Sequence, residues 1–152
     1  MGLKIDKIDR QILELIQENG RIKQSELAHK VKLSEPSLGE RLKHLEEKKI
    51  IEKYFAKVNP KKLGKDIAAF IEVKVDSSKH YVNFIQSCYL NPEILECHAV
   101  TGNGSHILKI RTENTAFLEK LLSTIQKWKG VTSTRTSLVL STHKETMKIS
   151  TL

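Results

Sequence analysis

The sequence predicts an α+β protein in which three helices are followed by a sandwich of β-α-β-β-α-β order. In the first third of the chain, apolar residues recur every three to four positions, as in helices that bury one face. Alternating residues typical of half-buried strands then appear, separated by two further helical stretches. Asn59, Pro60 and Gly64 mark the change. We expect a helical unit over residues 1–50, a strand-like linker over 51–65, and an α+β unit over 66–152.

The first helix is predicted to begin after Asp6, which is a good N-cap residue, and to run to about Asn19. Gly20 is expected to end it in the left-handed conformation that glycine adopts easily. The buried face of this helix is formed by residues at helical spacing: Ile8, Ile12, Leu15 and Ile16.

Residues 21–49 are predicted to form two short helices joined by a tight turn, the arrangement of a DNA-binding helix-turn-helix. In the second of these helices, Ser34 is a good N-cap and Pro36 fits the first turn. Leu33 lies in the turn, and the apolar faces contain Leu27, Ala28, Val31, Leu38, Leu42 and Leu45. The alternative interpretation is a helical hairpin with a solvated charged face and no nucleic-acid partner.

The other side of this hairpin carries the residues expected to contact double-stranded DNA. Arg41 is the principal candidate, because its guanidinium suits guanine edges or phosphates. The start of the helix should approach bases, and the lysines should meet phosphates. A net charge of +8 suits a polyanion, although the basic residues are spread along the chain. The predicted contacts are Gln24, Ser34, Glu35, Ser37, Leu38, Arg41, Lys43, His44, Lys48 and Lys49.

A strand-like segment over residues 50–58 is expected to form a wing, or a link that pairs with a second copy. Strands are then predicted over residues 67–75, 94–101, 106–111 and 131–140, with helices over 81–90 and 115–128. Gly102-Asn103-Gly104 is a hairpin turn signal, and Gly130 should stop the last helix. The expected inward faces of the two helices are Val82, Ile85 and Tyr89, and Leu118, Leu121, Leu122 and Ile125.

This order of strands and helices is that of a ferredoxin-like sandwich. Its helices cover one face of the antiparallel sheet, the face of alternating residues such as Ile71 and Val73. The opposite face is also expected to be apolar, with Ala68, Phe70, Ile94 and Val100. A second copy of the chain is the natural cover, so we expect a homodimer at least.

The composition argues against several classes of protein. No apolar run approaches the roughly 20 residues of a membrane span, and acidic residues interrupt any signal-peptide core. Cys88 and Cys97 make no disulfide framework, so a reducing cytoplasm is the simplest compartment. Cys97 and His98 look like a metal pair, but neighbouring strand residues point to opposite faces. We expect no metal and no cofactor, with Cys88 as a small apolar residue and Trp128 as a core plug.

Several stretches together resemble one family of prokaryotic transcription regulators, the leucine-responsive regulatory protein / asparagine regulator (Lrp/AsnC) family. They are IDKIDRQILELIQENGRI, the helix-turn-helix, YFAKVNPKKLG, ECHAVTGNGSHILK and GVTSTRTSLVLSTHK, and they cover nearly the whole chain in a single register. The resemblance implies a winged helix-turn-helix and a ferredoxin-like domain for effector binding and assembly. It also implies dimers that build tetramers or octamers, and amino-acid ligands bound between dimers near the hairpin that joins the second and third strands.

The chain departs from the family pattern at four places. Lys32 and Lys49 stand where the family usually has glycine, and a lysine with positive φ is strained. Gly39 lies inside the recognition helix, at a cost of roughly 1 kcal/mol relative to alanine. The hairpin lacks the family's aspartates and tyrosine, which weakens the capture of a ligand's ammonium group.

We therefore expect weak effector binding, an altered ligand or none, with an uncharged side chain such as that of leucine or methionine preferred. Backbone N–H groups around the two glycines of the hairpin suit a carboxylate. His106 is either a ligand contact or a surface strand residue. The predicted effector residues are Thr101, Gly102, Asn103, Gly104, Ser105, His106, Thr134 and Thr136.

Two other functions fit the same architecture. One is an architectural protein that wraps DNA with little sequence preference. The other is an enzyme that resembles the haem-pathway decarboxylases of anaerobes, with His98, His106 and Arg111 facing an anionic tetrapyrrole. No catalytic motif stands out in the sequence. From the helix-turn-helix and the resemblance to the Lrp/AsnC family, we expect a sequence-specific DNA-binding regulator and no enzyme activity.

Overall fold

The structure is a computed structural model that describes residues 5–152. It divides into two compact units, one of residues 5–58 with 144–152 and the other of residues 59–143. The C-terminal residues, which we assigned to the second unit, thus belong to the first. The reason is a set of polar contacts with the first helix. Within the described residues, no helix is both long enough and apolar enough to cross a membrane.

Three helices form the first unit: α1 (Lys7–Glu18), α2 (Gln24–Val31) and α3 (Glu35–Glu47). Asp6 caps α1 as predicted, and its carboxylate accepts a 2.8 Å hydrogen bond from the Asp9 N–H. α1 ends at about Asn19 as predicted, but the predicted left-handed conformation of Gly20 is wrong, because Gly20 does not have a positive φ. Asn19 caps the helix in an extended conformation, and its side chain accepts a hydrogen bond from the Arg21 N–H.

The apolar faces of the three helices meet in one core. Leu27, Ala28 and Val31 of α2 are buried in it, as their spacing predicts. Full burial of an aliphatic side chain contributes roughly 1.5–3 kcal/mol, so this core holds the small unit together. Its buried residues are Ile12, Leu13, Leu27, Ala28, Val31, Leu38, Leu45 and Ile51.

Two lysines of this unit have the left-handed conformation that the comparison with the family pattern anticipated. Lys32 follows α2 with φ 57° and ψ 45°, and Lys49 lies just after α3 with φ 58°. A side chain with a Cβ is strained at such angles. The turn geometry of the helix-turn-helix is thus kept without the glycines that make it easy.

Residues 52–59 belong to no helix or strand in the described chain, so the expected strand does not form within one copy. A strand needs a partner for its backbone hydrogen bonds, and the first unit offers this segment none among the described residues. A short 3₁₀ helix, Lys61–Leu63, follows and ends at Gly64 with φ 72°.

The second unit has the predicted order: β1 (Ile67–Val75), α4 (Tyr81–Leu90), β2 (Ile94–Ala99), β3 (His106–Thr112), α5 (Thr115–Gln126) and β4 (Val131–Leu138). The strands pair antiparallel in the order β2-β3-β1-β4. This confirms the ferredoxin-like sandwich. One sheet face packs on the helices, and its core includes Ile71, Val73, Leu108 and Ile110.

The prediction for the inner face of α4 is wrong. Val82 and Tyr89 are 75% and 86% exposed, whereas Phe84 and Cys88 are buried against the sheet. Both sets are apolar at helical spacing, and only the position of the sheet selects between them. Ile94 was also assigned to the wrong face, since it packs against the core under the helices.

The sheet face opposite the helices is mixed rather than apolar. Ala68 and Phe70 lie on it, as predicted. Their register partners on β3 are Arg111 and Lys109, which carry charge.

Candidate DNA-binding surface and effector pocket

The first turn of α3 presents two hydroxyl side chains to solvent. Ser34 caps the helix, and its Oγ accepts a hydrogen bond of 3.3 Å from the Ser37 N–H. The Ser34 hydroxyl also donates to the Ser37 Oγ at 3.0 Å. Both residues are exposed, as is Glu35 between them. The N-terminal turn of α3 is therefore exposed, as an approach to a groove of DNA requires.

Leu38, included among the predicted DNA contacts, is completely buried in the core of the first unit. It cannot reach a base, so its assignment is corrected. Its neighbours along α3 alternate between this core and solvent because of the helical period. The remaining predicted contacts are exposed or, for Arg41, half-buried: Gln24, Ser34, Glu35, Ser37, Arg41, Lys43, His44, Lys48 and Lys49.

Arg41 is held by two carboxylates at the start of α1. Its Nη1 donates to the Asp6 Oδ2 at 2.6 Å and to the Asp9 Oδ1 at 2.8 Å, and its side chain is 32% exposed. These hydrogen bonds raise the pKa of Arg41 above its usual value. The pKa of Asp6 is lowered, first by the Asp9 backbone N–H and then by the guanidinium. The arginine thus ties α3 to α1 with part of its hydrogen-bonding capacity.

An open depression of about 410 Å³ surrounds this arginine. Its lining includes Asp9 and Glu40 as well as His44 and Ser37. Carboxylates repel phosphate, so the floor of the depression suits a base edge better than the DNA backbone. Phosphate contacts fall more naturally to the lysines at the other end of α3.

Three lysines cluster at that end. Lys43 lies 3.8 Å from Glu47, one helical turn away, and both side chains are well exposed. No ion pair is found for Lys48 or Lys49 in the part of the chain that the structure describes. Exposed pairs of this kind are weak, so all three lysines can interact with phosphates.

In the second unit, a small pocket of about 160 Å³ lies beside the hairpin that joins β2 and β3. The structure brings three predicted effector residues together there: Asn103, Gly104 and Thr134. It adds residues that sequence reasoning missed, which are Glu72, Val73, Lys74, Ser133 and Arg135. The pairing of β1 with β4, which places Glu72 opposite Arg135, creates this combination. Only the strand register reveals it.

The other five predicted effector residues, of which His106 is described below, lie outside the pocket lining. Thr101 and Gly102 are in the exposed turn, where Gly102 has φ 114°. Thr136 pairs with Ile71 further along the sheet. Ser105 ties the hairpin to β1, because its hydroxyl donates to the Val73 carbonyl at 3.2 Å and accepts from the Val75 N–H at 3.0 Å.

His106 is a core residue, with 1% of its surface exposed. Its ring lies 4.8 Å from those of Tyr81 and Phe84, and Nδ1 is 2.9 Å from the Ser105 hydroxyl. Nε2 has no hydrogen-bond partner among the described residues. Burial lowers the pKa of this imidazole. The interpretation as a surface residue is therefore wrong, and the ring lies under α4 instead of in the pocket.

The two cysteines contact each other between α4 and β2. The neighbouring Cys97 thiol, with burial, raises the pKa of Cys88, and the neighbouring Cys88 thiol lowers the pKa of Cys97 to about 7. Cys97 pairs with core residue Leu108, whereas the neighbouring His98 is exposed and pairs with Ile107. Cys97 and His98 therefore face opposite sides of the sheet, as predicted. Across residues 5–152, no group of three His, Cys, Asp or Glu side chains could hold a metal ion.

The same alternation bears on the tetrapyrrole hypothesis. His98 is exposed on one side of the sheet, and His106 is buried on the other. Arg111 donates to the Lys65 carbonyl. These three side chains do not converge on one site.

Comparisons with known proteins agree with this geometry. The sequence profile of a winged helix-turn-helix DNA-binding domain matches residues 5–52, and that of the Lrp/AsnC ligand binding domain matches residues 68–149. The chain is 37% identical to the HTH-type transcriptional regulator FL11 of Pyrococcus furiosus, over 95% of each chain. It is 34% identical to the leucine-responsive regulatory protein of Escherichia coli, over 97% of this chain and 92% of the relative.

Solved structures show the same similarity. A transcriptional regulator from Neisseria meningitidis, crystallised with L-methionine, superimposes with a TM-score of 0.91 at 33% identity and covers 96% of each chain. E. coli AsnC superimposes with a TM-score of 0.88 at 28% identity, over 96% of this chain and 99% of AsnC. This chain belongs to the Lrp/AsnC family of DNA-binding transcription regulators.

Proposed function

We propose that the protein binds specific double-stranded DNA sites through α3, and that a small apolar amino acid changes this binding. The observation that carries the first part is the surface of α3. Its first turn exposes the hydroxyls of Ser34 and Ser37, and its far end carries exposed lysines. Hydroxyls at the start of a recognition helix suit base edges, and lysines beyond it suit phosphates. DNA binding of this kind takes place in the cytoplasm of a prokaryotic cell.

We propose two tasks for Arg41, which are to position α3 through Asp6 and Asp9 and to reach a base edge from the same depression. The test begins with genome-wide mapping of bound sites, which supplies an operator. Operator affinity is then measured by fluorescence anisotropy for Arg41→Ala, which removes both tasks. We expect a loss of about 1–3 kcal/mol. A ratio of specific to nonspecific affinity near one for the unmodified protein would instead favour an architectural DNA-wrapping role.

The matched control is Asp9→Asn, which weakens the contact between Asp9 and Arg41 and keeps the guanidinium itself. If Arg41 touches DNA, Asp9→Asn keeps most of the operator affinity and Arg41→Ala does not. If Arg41 only positions α3, Asp9→Asn loses a substantial part of the affinity that Arg41→Ala loses, although Asp6 still holds the guanidinium. Unchanged affinity in a folded Arg41→Ala protein would refute both tasks.

We place the effector in the pocket beside Asn103 and Thr134. The charges around this pocket support the proposal, because they complement a zwitterion. The Glu72 carboxylate can accept hydrogen bonds from an ammonium group, while Lys74 and Arg135 attract a carboxylate. Glu72 therefore offers a charge that the hairpin itself lacks. Methionine and leucine are the expected ligands, and the N. meningitidis relative with L-methionine supports this class.

Calorimetry of the full chain against the twenty amino acids tests this site. We expect Arg135→Gln to weaken binding of methionine or leucine and Arg21→Gln, an exposed arginine of the first unit, to leave it unchanged. Tight binding of an acidic amino acid, or an affinity for methionine or leucine that Arg135→Gln leaves unchanged, would contradict the assignment.

We further propose that copies of the chain assemble at least into dimers. The support is the exposed apolar side chains of the second unit, which are Val82 and Tyr89 on α4 and Phe70 on the mixed open face of the sheet. Exposed apolar patches of this kind usually mark interfaces. Light scattering on the full chain at micromolar concentration tests this, and a clean monomer would refute it.

A further inference from the structure

The outward side of α1 is occupied by the end of the chain. One side of α1 packs on the core, and Asp6 and Asp9 at its start hold the guanidinium of Arg41. Another side, which carries Arg10, Glu14 and Gln17, faces residues 148–152. These positions recur at i, i+4 and i+7, so they form one stripe along the helix.

Side chains of α1 bind the backbone of this segment. The Gln17 amide donates to the Ile149 carbonyl at 3.0 Å and accepts from the Ile149 N–H at 2.8 Å. Glu14 accepts from the Thr151 N–H at 2.6 Å, and Arg10 donates to the Thr151 carbonyl at 2.9 Å. A side-chain amide that satisfies both backbone groups of one residue imitates a neighbouring strand. The segment is thereby held in a fixed register along α1.

Charge strengthens the same contact. Lys148 Nζ lies 2.8 Å from Glu14 and 2.6 Å from Glu18. The hydrogen bond from Lys148, with those from Thr151, lowers the pKa of Glu14 to about 2. Glu14 therefore remains ionised across the physiological range and keeps its bonds to this segment.

The segment has a second connection through the chain itself. Residues 139–147 lead directly to it from β4, and β4 carries Thr134 and Arg135 of the effector pocket. The first unit is thus joined to the effector-binding sheet twice, once through residues 52–66 and once through its C-terminal docking contact.

We propose that the stripe Arg10, Glu14 and Gln17 is a docking surface for the chain's own residues 148–152, and that this contact transmits effector binding from β4 to the helix-turn-helix. The transmission rests on the proposed function above, whereas the docking does not. An effector acts on affinity only when it binds two states differently. The docked and released segment are two such states, and their balance is set by what holds β4.

Amide exchange at single-residue resolution in the full chain tests the docking. The Ile149 and Thr151 N–H groups are expected to exchange at least about tenfold more slowly than the Ser150 N–H, which has no hydrogen-bond acceptor among residues 5–152. Gln17→Ala should remove the protection of Ile149, while Glu26→Gln, an exposed site on α2, should leave it intact. Intrinsic exchange rates at Ile149 and Thr151 in the unmodified protein would overturn the docking.

The transmission is tested in the same two variants by operator affinity with and without methionine. In Gln17→Ala the ratio of the two affinities should fall to about one, with effector binding by calorimetry unchanged. The ratio should keep its full value in Glu26→Gln. A full ratio in a Gln17→Ala protein that has lost protection would overturn the transmission. Failure of the unmodified protein to bind DNA or methionine would refute the proposed function and leave the exchange result standing.

Discussion

Replacement of the two left-handed lysines by glycine should stabilise the helix-turn-helix unit. Lys32 has φ 57° and Lys49 has φ 58°. A left-handed conformation costs a residue with a Cβ roughly 1–2 kcal/mol. Glycine avoids this cost, but its greater conformational freedom in the unfolded chain lowers the free energy of unfolding by about 0.4–1 kcal/mol. The expected net gain is therefore about 0.5–1 kcal/mol for each of Lys32→Gly and Lys49→Gly.

The gain is measured by calorimetric melting of the full chain. For a unit of this size, about 1 kcal/mol corresponds to roughly 4–8 °C in Tm, so a shift of the first unit's transition is readily resolved. Lys32→Ala and Lys49→Ala are the matched controls. They remove the same charge but keep a Cβ in the strained conformation. If the glycine variants melt no higher than the alanine variants, backbone strain is not the cause of the difference.

The same four variants separate stability from DNA contact. If Lys49 meets a phosphate, its alanine and glycine variants should lose equal operator affinity, even though one of them is more stable. A difference in affinity that follows stability would show that Lys49 acts through the fold.

Four further outcomes are expected. Gly39→Ala should raise the stability of the unit by roughly 1 kcal/mol in chemical denaturation, because a Cβ there meets nothing within 4 Å, and lost operator affinity in this variant would show that DNA approaches the backbone at that point. Lys48→Gln should reduce the slope of log affinity against log salt by about 1, and an unchanged slope would remove Lys48 from the interface. Burial lowers the pKa of His106 in the folded protein, so the unfolded chain binds a proton at this residue first as pH falls below 6.5. The free energy of unfolding should therefore decrease below pH 6.5, and it should decrease less in His106→Phe. Alkylation of Cys97 should rise through a pH of about 7 while Cys88 stays unreactive, which mass spectrometry of modified peptides can follow.

Helices and strands whose apolar residues repeat regularly could be predicted from the sequence. Which face of such an element is buried could not always be predicted. The alternation in residues 67–75 gave β1 with the bounds that the structure has. The bounds of α4 were equally clear, but its two apolar stripes compete. The stripe with Phe84 and Cys88 faces the sheet, and the stripe with Val82 and Tyr89 does not. Local spacing holds no information about which side of a helix the sheet lies on.

The pocket and the C-terminal contact were hidden for a related reason. Glu72 and Arg135 meet only because β1 and β4 pair in one register. Gln17 and Ile149 are 132 positions apart in the sequence, and neither belongs to a motif. Chemistry assembled from distant segments is set by packing, whereas the hairpin at Gly102-Asn103-Gly104 is set by local turn preference.

For Arg41, the sequence indicated a contact with DNA but not the contacts with carboxylates of α1. Its place on the recognition helix indicated DNA contact, and nothing in residues 35–47 alone indicates a carboxylate partner. The partners lie in the first turn of α1, where Asp6 and Asp9 also cap that helix. One pair of carboxylates thus starts α1 and fixes the angle of α3 through a shared arginine. A substitution at Asp6 or Asp9 should therefore alter DNA binding from a helix that need not touch DNA, and the comparison of Asp9→Asn with Arg41→Ala measures how much of the arginine's contribution is position.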